Sequence, residues 1–221
     1  MPNWITNKIA APKHVIKAML NAEGRIDFAT MAPFPGPRDE WNDYAVDAED
    51  AAKIVCGIPV SSHPLIASLE QHSRASFDIR KLSDESFQQF VGFVENYRAC
   101  GYLHSMDFAR QAWGTKWNAC EQKHNADAGT AEFETAWSCP APVLVLLSKR
   151  FPDDEISVTF ADEDIGSNCG TFTLKAGAVI ASDIAPAWRD MTEEQRAKWK
   201  AFAYQVRGWS PEDIADAEAD D

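Results

Sequence analysis

The first thirty or so residues restrict the fold more than any other stretch of the chain. From Trp4 to Ala10, Trp4, Thr6 and Lys8 alternate with Ile5, Asn7 and Ile9, the two-residue period of a strand with unlike faces. Pro12 then opens a segment that places Val15, Ile16, Met19 and Leu20 on one helical face, and Gly24 suits its C-terminal stop. Ile26 to Met31 reads as a second strand, ended by Pro33-Phe34-Pro35-Gly36-Pro37. Strand, helix and strand in so short a span make half of a split β-α-β unit.

The pattern changes after that proline-rich stop. Arg38 to Gly57 is acidic and poor in strand signals. Pro64 to His72 and Ser83 to Cys100 read as helices, the second with Ser83 as N-cap and Phe87, Phe90, Val91, Val94 and Tyr97 along one face. Ser105 to Ala112 adds a shorter one. Strands return at Trp113–Gln122 and Ala131–Trp137, and Ser138 with Pro140 or Pro142 starts a helix whose Val143 to Leu147 are apolar on nearly all sides. Ile156–Phe160, Cys169–Leu174 and Ala178–Ser182 read as a closing meander, and Thr192 with Gln195 makes a capping box before a stripe of Trp199, Phe202, Ala203 and Val206. The expected architecture is therefore α+β. Residues 1–37 and 113–210 form an antiparallel sheet with helices on one face, 38–112 are a mostly helical insertion, and 211–221 are an acidic tail. The expected core includes Trp4, Val15, Met19, Phe28, Trp113, Trp137, Val143, Leu146 and Leu147.

At 221 residues the chain is long enough to bury a substantial core. Its net charge of −13 is unevenly placed. Residues 38–60 hold six acids against two bases, 127–164 hold nine against two, and 208–221 hold six with no base. Binding to nucleic acid draws largely on Lys and Arg releasing counterions, so these surfaces suit a basic partner better than a phosphate backbone. No apolar run approaches the roughly 20 residues of a membrane-spanning helix, and the N-terminus lacks a basic-then-apolar signal. A cytosolic setting is expected. The five cysteines are scattered without a Cys-x-x-Cys pair and are expected to be reduced.

Candidate chemistry is sparse. Trp113-Gly114-Thr115-Lys116-Trp117 packs two indoles, a glycine and a lysine into five residues. Read as a strand, it puts Trp113, Thr115 and Trp117 on one face. The indoles then either pack into the core with Trp137 and Trp4 or form a stacking platform beside Lys116 for nucleic acid. Asp162-Glu163-Asp164, followed by Gly166, Asn168 and Gly170, resembles an acidic turn around a cation but lacks the distal Glu of a calcium loop. A solvated hairpin turn accounts for it. Glu132 and Glu134 share a strand face with Ala136 and have no partnered acid or base. The five histidines show no metal-ligand spacing, and no phosphate-binding glycine loop or nucleophile elbow occurs. No cofactor or metal is expected, and catalysis is not indicated.

The opening Met1-Pro2-Asn3-Trp4 with Asn7, the segment Trp113 to Trp117, and the run Thr135-Ala136-Trp137-Ser138 with Pro140 together resemble a family of phage and plasmid proteins that carry a ferredoxin-like domain. The likeness covers nearly the whole chain and is weakest through 38–100. Where the family often has Cys, Ile5 stands here, so no role for that thiol carries over. The resemblance implies a ferredoxin-like sheet and a viral or plasmid accessory role in the host bacterial cytosol, with anti-defence (anti-CRISPR-type) inhibition among the functions such genes serve. Joined to the charge pattern, it yields the leading expectation. The protein is a non-enzymatic inhibitor that imitates nucleic acid and binds a host protein with a basic surface, such as a defence nuclease. Its contributing carboxylates are Asp39, Glu40, Asp43, Asp47, Glu132, Glu134, Asp162, Glu163 and Asp164. The competing expectation is direct nucleic-acid binding through Trp113, Lys116 and Trp117.

Overall fold

A computed structural model describes residues 2–209. The tail expected over 211–221 lies outside the described residues. The chain divides into two compact units. The first takes the chain up to Pro33 and again from Ala109, and the second is Phe34–Phe108.

The first unit is built on a six-stranded sheet. Its strands are β1 (Trp4–Ala10), β2 (Cys120–Asn125), β3 (Thr130–Ala136), β4 (Glu155–Asp162), β5 (Gly170–Lys175) and β6 (Ala178–Ile184), in the order β2-β3-β1-β4-β5-β6. Each neighbouring pair is antiparallel. Ile5, Asn7 and Ile9 of β1 stand opposite Thr135, Phe133 and Ala131 on one side and Asp162, Phe160 and Val158 on the other. Directly paired residues share a face, so these form the inner face, continued by Ile156, Phe172 and Leu174, nearly all of it closed to solvent. Helices α1 (Lys13–Lys17) and α6 (Ala141–Arg150) contribute Val15, Ile16, Val143, Leu144 and Leu147 to this core.

The opposite face carries Thr6, Lys8, Glu132, Glu134, Ser157, Thr159 and Ala161. Its two apolar residues at one end, Ala161 and Cys169, are covered by helix α7 (Glu193–Arg207) through Trp199, Ala203 and Val206. Arg207 at the end of α7 donates to the Trp4 carbonyl at 3.1 Å and to Thr6 Oγ1 at 3.4 Å. Helices therefore occupy both faces. The expectation of one helical face holds for α1 and α6, while α7 is drawn to the other side by the apolar end of an otherwise polar surface. The uncovered remainder is a trough of about 430 Å³ with Lys8, Lys123, Glu132, Ser157 and Thr159 among its walls.

The capping box at Thr192 and Gln195 forms as expected. Three further expectations do not hold. Ile26–Met31 is not a strand. Asp27 Oδ1 accepts from the Ala29 amide at 2.9 Å and starts a 3₁₀ turn over Phe28–Thr30, leaving a single bridge between Leu20 and Ile26. The turn drives Phe28 into the core, edge-on to both Trp113 and Phe133. Trp113–Asn118 is irregular rather than extended, because Gly114 takes a φ of 80° and the ring of Pro142 occupies the space a Cβ would need. Of the expected core, Trp137 and Leu146 are exposed, and Trp4 and Trp113 are half-buried.

The second unit contains α2 (Val46–Val55), α3 (Pro64–Ser76), α4 (Asp84–Cys100) and the first half of α5 (Ser105–Ala112). Ser83 caps α4 by accepting from the Ser86 amide, and Gly101 ends it with a φ of 84°. Ala48, Ala51 and Ala52 of α2 pack on Phe90, Phe93 and Val94 of α4 and on Leu103. Trp41 lies against α4 at Gly92, where any Cβ would overlap the indole. That contact justifies a helix-weakening glycine in the middle of α4.

Candidate functional site

The acidic candidates of the second unit lie on one segment held from beneath by α4. Asn96, fully buried, donates to the carbonyls of Arg38 and Leu103 and accepts from the Arg38 amide at 2.9 Å. Two turns earlier, Gln89 accepts from the Ala45 amide at 2.9 Å and donates to the Asp43 carbonyl. These two amides sit seven residues apart on one face of the helix and fix the backbone of 38–45. Asp39, Glu40, Asp43 and Asp47 are left exposed. Glu40 pairs with Arg38, which also meets Glu95. Asp39, Asp43 and Asp47 have no ion-pair partner among the described residues. Glu49, further along α2, is turned into the unit. His104 and Lys53 hold its carboxyl down to about 2. Lys53 is the closer, at 2.6 Å, while the buried His104 Nε2 stands 3.8 Å away.

In the first unit the acidic candidates separate by environment. Glu132 faces Lys8 at 3.7 Å, and Glu134 sits half-buried between Thr6 and Arg207. Both are largely compensated. Asp162 is only 5 % exposed and is no surface charge. Its Oδ1 accepts from the Asp164 amide at 3.0 Å and from Asn3 Nδ2 at 3.3 Å, and its Oδ2 accepts from Asn168 Nδ2 at 2.9 Å. The carboxylate thus organises the 163–169 connection and, contrary to the sequence expectation, is turned into the fold rather than toward a partner. Burial first and Asp162 second push the Cys169 thiol up to about 11. Glu163 and Asp164 project outward.

The tryptophan motif forms neither a buried cluster nor a strand face. Trp113 is half-buried and donates its indole N–H to the Ala32 carbonyl at 2.8 Å. Trp117 is 40 % exposed, lies 6.2 Å from the Trp4 ring, and has the Lys116 ammonium 4.7 Å from its centroid. Trp137 is 52 % exposed and held at a φ of 71°, a left-handed conformation that a bulky residue rarely adopts. Beneath them a polar chain joins the motifs. Asn7 donates to Thr135 Oγ1 at 2.8 Å, Thr135 donates to the Ser138 carbonyl, and Ser138 donates to the Gly114 carbonyl. Thr115 donates to the Ala136 carbonyl at 2.8 Å. The small polar residues of the motifs are therefore structural, and two of their indoles are on display.

Sequence reasoning missed Trp188, Tyr204 and Trp209, which line a cavity next to Glu163 and Asp164. Tyr204 and Trp209 flank Gly208, a helix-end signal that was legible, but nothing local ties them to a loop 40 residues earlier. Among the described residues, no group of three or more His, Cys, Asp or Glu stands close enough to hold a metal ion. No helix among them is long and apolar enough to cross a membrane.

A six-stranded antiparallel sheet, helices on its faces and a polar network linking β1 to β3 define an α+β protein with a ferredoxin-like domain. Residues 113–203 match the family model described as the ferredoxin-like domain in Api92-like protein. Among solved structures the chain is similar to the crystal structure of a protein api92 from Yersinia pseudotuberculosis. That likeness is 12 % in sequence identity, spans 85 % of this chain and 99 % of that one, and has a TM-score of 0.38. No curated protein matches the chain.

Proposed function

We propose that this chain is a non-enzymatic accessory protein that binds a basic surface of a host protein through the acidic segment of its second unit. The carrying observation is the clamp by Asn96 and Gln89. It fixes the backbone of 38–45 while Asp39, Asp43 and Asp47 stay exposed and have no ion-pair partner among the described residues. A pre-ordered row of carboxylates loses little freedom on binding and speeds encounter with a positive partner. Glu163 and Asp164 are the acidic contacts of the first unit. Glu132, Glu134 and Asp162 are removed from the contact set because each is compensated within the fold. In the form that the family resemblance favours, the protein is a phage- or plasmid-encoded anti-defence inhibitor. It acts in the host bacterial cytosol by occupying a groove built for nucleic acid.

Affinity capture from a host lysate tests this. The expected catch is a basic nucleic-acid-binding protein that is retained at low salt, released at high salt and displaced by duplex DNA. The triple variant Asp39→Asn/Asp43→Asn/Asp47→Asn keeps its fold, since exposed substitutions change stability by under about 0.5 kcal/mol, and loses the catch. Equal capture by the triple variant refutes the proposal.

A second reading rests on the exposed indoles of Trp117 and Trp137, with the Lys116 ammonium against the Trp117 ring. Base stacking on such rings tolerates any sequence, which favours a single-stranded nucleic acid on the first unit. Tight oligonucleotide binding that disappears in Trp117→Ala and Lys116→Ala selects this reading over the first.

A further inference from the structure

The 163–169 connection and α7 enclose a cavity of about 470 Å³ within the first unit. Its walls are the indoles of Trp188 and Trp209 and the phenol of Tyr204, and its charged groups are Glu163, Asp164 and Lys200. Each wall has a local cause. Gly208 turns the chain with a φ of 71°, and the Trp209 amide donates back to the Tyr204 carbonyl at 3.1 Å. Trp209 is thereby folded to 5.4 Å from the Tyr204 ring. Trp188 carries the Arg196 guanidinium 5.0 Å from its ring centre. On its other contacts it is packed so closely on Gly166 that an added Cβ would stand 3.0 Å from Cζ3. Asp162 locks the connection, so that Glu163 and Asp164 are presented at the surface.

Two features of this cavity are unspent. Tyr204 is 9 % exposed, and its hydroxyl has no hydrogen-bond partner among the described residues. Neither Glu163 nor Asp164 forms an ion pair among the described residues, with Lys200 or any other cation. Electron-rich ring faces beside two unpaired carboxylates attract organic cations. The phenol oxygen adds an acceptor for an N–H donor.

We propose that this cavity is a binding site for an organic monocation, the guanidinium or ammonium end of an extended side chain presented by a protein partner. The partner's identity rests on the proposed function above, whereas recognition of the cation itself does not. Among the described residues, Lys200 lines the cavity and Arg196 stacks on Trp188, and both like charges oppose this ligand, which therefore takes the ring faces of Tyr204 and Trp209.

Titration with acetyl-arginine amide, followed by the indole N–H resonances of Trp188 and Trp209, tests the site. Acetyl-citrulline amide, the neutral isostere, serves as the control. The expected result is saturable binding of the arginine compound, with the citrulline compound at least about tenfold weaker. Glu163→Gln/Asp164→Asn and Trp209→Ala each weaken the arginine compound by a similar factor, with unchanged circular dichroism. Lys200→Gln tightens it. Equal binding of the two compounds, an unaffected folded Trp209→Ala, or weaker binding in Lys200→Gln overturns the proposal. Arginine binding without any lysate partner leaves the cavity assignment standing and removes the proposed function. Partner capture without arginine binding does the reverse.

Discussion

Asp162→Ala separates a carboxylate that organises the fold from those that decorate it. The side chain accepts hydrogen bonds from the Asp164 amide, Asn3 Nδ2 and Asn168 Nδ2 while 5 % exposed. A hydrogen bond to a charged group contributes about 1.5–3 kcal/mol, but three around one acceptor are not additive. Asn168 and Asp164 are themselves exposed, so water takes up their freed donors. The expected cost is therefore about 2–4 kcal/mol, which for a chain of this size lowers the melting temperature by roughly 5–12 °C. Asp162→Asn is isosteric but turns an amide N–H toward either the Asp164 amide or Asn168, and costs about 1–3 kcal/mol. Urea unfolding followed by tryptophan fluorescence reads the affected unit, because of the eight tryptophans only Trp41 lies outside it. Glu163→Gln/Asp164→Asn is the matched control and changes stability by under about 0.5 kcal/mol. Equal stability of Asp162→Ala and that control refutes the inward role of Asp162.

Gly114→Ala combines a left-handed residue, worth about 1–2 kcal/mol, with a Cβ driven into the Pro142 ring. A loss of at least about 3 kcal/mol is expected in the same urea assay, and a loss under 1 kcal/mol would show that the motif glycine is not required by packing. Glu49 governs the acid stability of the second unit. Its folded pKa of about 2 lies below the usual carboxylate value, so its contribution is full above the unfolded pKa near 4.5 and is lost as pH falls toward 2. That contribution is up to about 3 kcal/mol. Glu49→Gln should flatten the stability profile between those limits, measured on the Trp41 signal, and an unchanged slope contradicts the assignment.

Periodicity located β1 to the residue and the capping box of α7, because both are set by neighbours a few positions away. Ile26–Met31 misled because six residues with only Ile26, Phe28, Ala29 and Met31 apolar are too few to set a period, and Asp27, placed to cap a turn, outweighed strand propensity. Trp113–Trp117 misled for a related reason. Alternation suggested a strand, but Gly114 packs against Pro142, a partner that no local pattern reveals. For the candidate site, composition located the acids and could not tell which were compensated. Glu132 and Lys8, or Glu134 and Arg207, meet only once the sheet and α7 are assembled. The exposed Asp39, Asp43 and Asp47 were legible because they crowd a single segment.

The place of β1 in the sheet bears on the order in which the protein is made. Both of its neighbours, β3 and β4, are encoded after the helical unit. The hydrogen bond from Asn7 to Thr135 closes 128 residues of chain. Closing so long a loop costs little at equilibrium, about 0.6 kcal/mol for each doubling, but it comes late in time. On the ribosome, residues 34–108 have their whole sequence available first, while β1 waits with both edges unpaired. A chain halted after α5 thus carries a finished helical unit and an orphan strand, the kind of open edge on which aggregation begins.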